Sequence, residues 1–164
     1  MRDEQNLWNF VFFLFFVVVF GVGLWWLWTS GRLPLGIPFF DATLVALAAF
    51  RLTRLVIYDR IMQFFRDWFL DVSAVLDDGE LVVVRSRAKR GPRRTISELL
   101  ACPWCFGLWS AAMVTFFYFA TPVAWFPIFV LAVAGVTTLL QLGASFVGWH
   151  TELAKREAGS IDTH

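Results

Sequence analysis

The sequence predicts an all-α polytopic membrane protein: four transmembrane helices, an interfacial amphipathic helix, and a basic cytoplasmic loop with room for a small β-hairpin. Three observations carry that reading. The 164 residues are 59% hydrophobic and 16% charged, whereas soluble chains average about 45–50% and about 25%. Long runs free of charge recur along the chain. Eight of the fourteen Lys/Arg lie between Arg60 and Arg94. The whole of 1–164 reads as a single membrane domain, with spans near 7–28, 40–58, 103–121 and 126–149, a cytoplasmic loop at 59–101 and a polar tail at 150–164.

Leu7–Trp28 holds twenty-two residues without a charge, which at helical rise is roughly 33 Å, enough to cross a hydrocarbon core. Trp8 marks one end and Trp25, Trp26 and Trp28 the other, as interfacial anchors do. A cleaved signal peptide fits less well. The apolar run is too long, Arg2 is offset by Asp3 and Glu4, and no small-x-small site follows. After the turn-rich Thr29–Pro38, a second apolar segment runs from Phe39 to about Tyr58 and takes on Arg51 and Arg54. In Arg60–Val72 the apolar residues Ile61, Phe64, Phe65, Trp68, Phe69 and Val72 recur at three- and four-residue spacing, an amphipathic helix suited to the membrane surface.

Asp77-Asp78-Gly79 is a turn signal between the β-prone runs Val72–Leu76 and Leu81–Val84. Arg85–Arg94 reads as a basic loop, and Thr95-Ile-Ser-Glu98 fits a capping box opening a short helix. Apolar stretches then run from Phe106 to Ala120 and from Val123 to Trp149, broken at Thr121-Pro122, before a polar tail expected to fray. The basic residues of the 59–101 connection place it in the cytoplasm by the positive-inside rule, and both termini with it. The expected location is the bacterial cytoplasmic membrane, or a host's membrane if the gene is phage-borne.

Candidate chemistry gathers at the ends of spans. Arg51 and Arg54 lie one turn apart, on a face with Leu47, Leu55 and Tyr58. A charge within the bilayer costs about 2.5–3.5 kcal/mol at mid-depth and less near the interface. They read either as an anion or headgroup site, as ion-pairing residues between helices, or as snorkelling side chains. Glu98 is the first candidate partner, with Asp59 and Asp67 after it. Arg85, Arg87, Lys89, Arg90, Arg93 and Arg94 would each gain about 1 kcal/mol beside anionic lipid. Nucleic acid is not the expected partner, because no aromatic-interleaved binding motif accompanies them. Thr137, Thr138 and Gln141 make a milder polar patch, attributed to bonds between helices.

Cys102-Pro103-Trp104-Cys105 contains both cysteines. Proline favours the first helical position, which makes Cys102 an N-cap and Cys105 the third helical residue. Both sulfurs would then face the positive end of a helix, where thiolates are stabilised. Three readings stay open: a structural helix start, a redox pair, or half a metal site completed by His150, Glu98, His164 or a second subunit. In a reducing cytoplasm the pair would be a dithiol. The four residues resemble the Cys-Pro-Tyr-Cys of glutaredoxins, but no βαβ pattern surrounds them.

Ala49–Ile61 (AFRLTRLVIYDRI), a basic linker, and Glu98–Ala111 (ELLACPWCFGLWSA) together resemble a family of small bacterial and phage membrane proteins known as domain of unknown function 1360. The resemblance covers roughly residues 40–148 and rests on Arg51, Thr53, Arg54, Asp59, Glu98, Cys102, Pro103, Trp104, Cys105, Gly107 and Trp109. Members commonly place proline ahead of the arginine of the amphipathic segment, where Phe65 stands here. The resemblance implies a membrane protein and no established activity. Combining the two motifs predicts one packed cluster at a single membrane depth, with Glu98 ion-paired to Arg51 or Arg54 and the cysteines beside it.

The functional expectation is a non-enzymatic protein acting by association in the membrane, through its spans and its basic loop. The partners are the bilayer and its anionic headgroups, together with further copies of the chain. No cofactor is expected unless zinc joins the cysteines. The alternatives are a thiol redox or metal-binding protein using Cys102 and Cys105, and a holin-like permeabilising protein. Transport is weaker, since the Gly/Pro-broken helix pairs of transporters are missing from the sequence.

Overall fold

The protein is described by a computed structural model that covers residues 2–33, 36–77, 80–87 and 91–161. It is an all-α bundle with one two-stranded excursion. Helix α1 spans Arg2–Thr29, α2 Phe39–Ile57, α3 Gln63–Asp67, α4 Pro92–Leu100, α5 Pro103–Ala120 and α6 Trp125–Ile161; β1 is Leu70–Asp77 and β2 Glu80–Arg87.

The helix directions follow from which side chains meet. Phe15 and Phe16 of α1 lie against Trp109 of α5, and further along Trp26 lies against Phe116. Arg32, just past α1, donates from Nη1 to the carbonyl of Ala120, where α5 ends. Helices α1 and α5 are therefore parallel. Helix α2 runs the other way: Asp41 in its first turn lies beside Tyr118 late in α5, while Thr53 near its end faces Gly107 early in α5. Helix α6 leaves the end of α5 through a tight turn at Pro122–Ala124 and reaches Leu47 and Arg51 of α2 by Gly135. It therefore accompanies α2 back to the end where α1 begins.

The core lies on α2. Leu44, Val45, Ala48 and Ala49 are buried against Val114 of α5 and Ile128 and Ala132 of α6. Small residues let the backbones approach, the usual solution where van der Waals contact rather than water drives helix association. A Cβ on Gly135 would stand 2.7 Å from the carbonyl oxygen of Leu47.

Three segments are long and apolar enough to cross a membrane: Gln5–Thr29, Pro103–Ala120 and Pro122–Leu153. The expected fourth, near 40–58, is not among them, because Asp41, Arg51 and Arg54 interrupt its nineteen residues. The sequence reading gave weight to its apolar run; the structure shows it as the helix on which the others pack.

Four further expectations change. The surface helix proposed for 60–72 is a single 3₁₀ turn at Arg60–Met62 followed by the five residues of α3, because Leu70 onward is drawn into β1. Antiparallel pairing runs from Leu70 opposite Arg87 to Asp77 opposite Glu80, beyond the short runs read from sequence; the Asp78-Gly79 part of the turn signal lies outside the described residues. The tail expected to fray continues α6 to Ile161, since Glu152, Leu153, Ala154, Lys155, Arg156 and Glu157 are good helix formers. Thr137 and Thr138 donate to the carbonyls of Val133 and Ala134 four residues back in their own helix, at 3.0 and 2.8 Å, so those hydroxyls are satisfied without a neighbouring helix.

Candidate functional site

The polar side chains gather at the end of the bundle where α2 finishes and α5 starts. Pro103 occupies the first position of α5, where its missing N–H costs nothing. Cys102 is the N-cap in extended conformation, and its sulfur accepts a hydrogen bond from the N–H of Cys105 at 3.3 Å. One helical turn sets the two Cα atoms 5.3 Å apart, and the sulfurs are joined as a disulfide. That Cα separation is within the range a disulfide accepts. Cys105 is exposed and Cys102 half-buried. Between them Trp104 is 90% exposed.

Arg51 and Arg54 are held differently. Arg51 Nη2 lies 2.7 Å from Asp59 Oδ2, with both side chains mostly buried. The guanidinium of Arg54 lies 5.0 Å from the centre of the Tyr58 ring, a cation–π contact. Its Nε is buried without a hydrogen-bond partner among the described residues. Glu98, expected to pair with one of them, instead binds Arg94: Oε1 lies 2.9 Å from Arg94 Nε, one turn back on α4. A partner four residues away on the same helix is available without ordering a second segment, whereas Asp59 follows Arg51 across the α2 terminus.

The capping box at Thr95 does not form. Helix α4 begins three residues earlier, at Pro92, after Gly91 at φ 76°. That conformation suits glycine, and it places Thr95 inside the first turn, buried. There Thr95 Oγ1 donates to Asn9 Oδ1 at 3.1 Å and accepts from Gln5 Nε2 at 2.9 Å. This clasp between α1 and α4 was missed from sequence. Its signal was Gln5 and Asn9 one turn apart, where the polar opening of α1 passes into its apolar run.

The basic segment 85–94 is not one loop. Arg85 and Arg87 are in β2, Lys89 and Arg90 lie outside the described residues, and Arg93 and Arg94 open α4. Arg93 Nη2 donates to the carbonyl of Trp68 at 2.9 Å, and its Nη1 stands 4.0 Å from Asp71. Arg66 Nη1 donates to the carbonyl of Val56 at 2.7 Å. These arginines tie the segment after α2 back to the bundle, and Ile61, Phe64 and Trp68 remain exposed beside them.

His150 sits on α6 with its ring against Phe146. Among the described residues, no three His, Cys, Asp or Glu side chains gather as a metal site requires. His164 lies outside the described residues. A second feature lies between α1 and α5, an apolar cleft of about 350 Å³ floored by Trp109, Met113 and Phe116.

The family described as "Protein of unknown function (DUF1360)" matches residues 44–144. The chain is 31% identical over 106 residues to the UPF0713 protein YngL of Bacillus subtilis (strain 168), covering 64% of this chain and 78% of that one. It is 36% identical over 101 residues to the Sporulation protein YjcA of the same organism, covering 60% of this chain and 85% of that one. No solved structure matches.

Proposed function

The chain belongs to the DUF1360 family, and we propose that it is a small bacterial membrane protein that acts by association, without catalysis, anchored in anionic lipid at its cytoplasmic face. One observation supports this above the others: a helix too polar for lipid is enclosed by helices too apolar for water. Helix α2 carries Asp41, Arg51 and Arg54, yet runs alongside α5 and α6 and buries its contact face on them. At roughly 28 Å for nineteen residues it is long enough to be the fourth span. The charges are tolerable because protein, not lipid, surrounds them.

The start of α1, the end of α2 and the start of α5 share one end of the bundle, toward which α6 also runs, and the 59–101 connection holds most of the basic residues. We assign that end to the cytoplasm. Arg51 is neutralised by Asp59 and Arg94 by Glu98, while Arg54, near the same end of α2, has no carboxylate partner among the described residues. Its guanidinium would meet lipid phosphate, while Ile61, Phe64 and Trp68 enter the headgroup layer. The YjcA relative is named for sporulation. From it we take over only a bacterial setting.

Topology fusions test the reading. Alkaline phosphatase should be active when fused after Gly36 and after Thr121, and inactive after Asp78 or at the C-terminus, where a green fluorescent protein fusion should glow. Equal reporter behaviour after Gly36 and after Asp78 would mean that α2 does not cross, and the four-span reading would fall. Phosphatase activity after Asp78 but not after Gly36 would invert the orientation.

A further inference from the structure

We propose that Cys102 and Cys105 form a thiol–disulfide exchange site, with Cys102 as attacking sulfur and Cys105 as resolving sulfur, acting on an external disulfide. The inference stands apart from the association reading and from the orientation of the bundle.

Four features of one turn support it. The two Cα atoms stand 5.3 Å apart, a span a disulfide bridges, so the pair can close on itself after exchange without moving the backbone. Cys102 is the N-cap of an eighteen-residue helix, and the N–H of Cys105 points at its sulfur. A thiolate formed there receives a hydrogen bond and the positive end of the helix dipole. Cys105 is exposed, so the pair opens outward rather than into the core. Trp104 stands almost wholly exposed between them, an apolar ledge on which an incoming disulfide can rest. A purely structural disulfide would have little work in this place. It closes a loop of two intervening residues inside one helical turn, so the conformational entropy it removes from the unfolded chain is small.

The exchange balances without another reagent. Cys102 thiolate attacks one sulfur of the external disulfide R–S–S–R′, forming the mixed disulfide Cys102–S–S–R and releasing R′–S⁻. Cys105, as thiolate, attacks the Cys102 sulfur, closes the intramolecular disulfide and releases R–S⁻. Two electrons pass from the pair to the external disulfide, and the two protons lost by the cysteines end on the two released thiolates. Run in reverse, the closed pair oxidises an external dithiol.

The test uses full-length protein in detergent, purified anaerobically. It is equilibrated in reduced and oxidised glutathione from strongly reducing to strongly oxidising ratios, quenched in acid and labelled with a maleimide that shifts its mobility. A tenfold change in [GSH]²/[GSSG] should move the dithiol:disulfide ratio tenfold, as a two-electron couple requires. With oxidised glutathione, Cys105→Ser should accumulate the mixed disulfide at least tenfold faster than Cys102→Ser. A peptide disulfide in place of glutathione separates the sources: faster trapping with the peptide identifies a polypeptide partner, and faster trapping with glutathione a small thiol. Serine also caps helices, and unchanged elution and helical circular dichroism would establish that both variants are folded. The proposal falls if the pair stays fully closed or fully open across all ratios. Equal trapping by the two variants overturns it too, as does stoichiometric zinc that protects the reduced pair from labelling.

Discussion

Helices α2 and α6 meet backbone to backbone, whereas α1 and α5 meet through rings. In the first junction Ala48 and Ala132 are fully buried and Gly135 lies under the Leu47 carbonyl. In the second, Phe15, Phe16 and Trp26 touch Trp109 and Phe116 across a cleft of about 350 Å³. The first holds α2, which carries Asp41, Arg51 and Arg54; the second holds the helix with no charge in its apolar stretch. The contrast teaches where each can live. A charged helix needs neighbours that exclude lipid, so it must be packed tightly. A helix that lipid itself solvates can be tethered at its two ends, here by the Thr95 clasp and by Arg32 on Ala120, and remain loosely joined between.

The sharpest way to break the contrast is Gly135→Ala. The added Cβ would stand 2.7 Å from a backbone oxygen and 3.4 Å from its carbon, and neither can yield unless α2 and α6 separate. Overpacking of this kind costs about 1–3 kcal/mol, against a gain of about 0.5–1 kcal/mol in helix propensity. Helical unfolding in a detergent denaturation series should show a net loss of about 2 kcal/mol. An unchanged midpoint would mean that the two helices are not locked at this residue.

Next in size is the Arg51–Asp59 pair. A hydrogen bond between charged, mostly buried groups contributes about 1.5–3 kcal/mol. Asp59→Asn should lower stability by about 1.5 kcal/mol, and a double-mutant cycle with Arg51→Gln should return coupling of the same sign. No coupling would place the pair in solvent, and α2 would then end outside the bundle. The third is Thr95→Val, which keeps shape but removes both hydrogen bonds of the clasp, at about 0.5 kcal/mol each because Gln5 is half-buried and Asn9 exposed. Its effect should be local: amide exchange should accelerate over residues 5–10 while α2 stays protected.

The existence of the first, third and fourth helices of the bundle was legible because each carries a long apolar run free of charge. The start of α5 was legible to the residue, since proline after cysteine admits few other geometries. Pairing was not. Whether Glu98 would take Arg54 or Arg94, and whether Arg51 would take Asp59, depends on which partner needs the least chain to be ordered, and the sequence places all of them within reach. The early start of α4 was obscured for a similar reason. Thr95 and Glu98 match a capping box, yet Gly91-Pro92 offers a stronger start, and the threonine it frees is used by α1. The length of the surface helix was overread because Phe69 and Val72 keep helical spacing while also suiting a strand.

The smallest expected effect separates the two junctions most finely. A Cβ at Gly23 of α1 would meet the Phe116 ring at 3.2 and 3.3 Å, while one at Gly143 of α6 would meet nothing within 4 Å. A ring edge can turn where a carbonyl cannot, and the cleft beside it offers room to turn into. Gly23→Ala should therefore come out near neutral, the helix-propensity gain of about 0.5–1 kcal/mol offset by a modest repacking cost. Gly143→Ala should keep the whole gain. If Gly23→Ala instead cost as much as Gly135→Ala in the same denaturation series, the α1–α5 junction would be as rigid as the core, and α1 would have to be counted as part of the bundle rather than as a helix moored beside it.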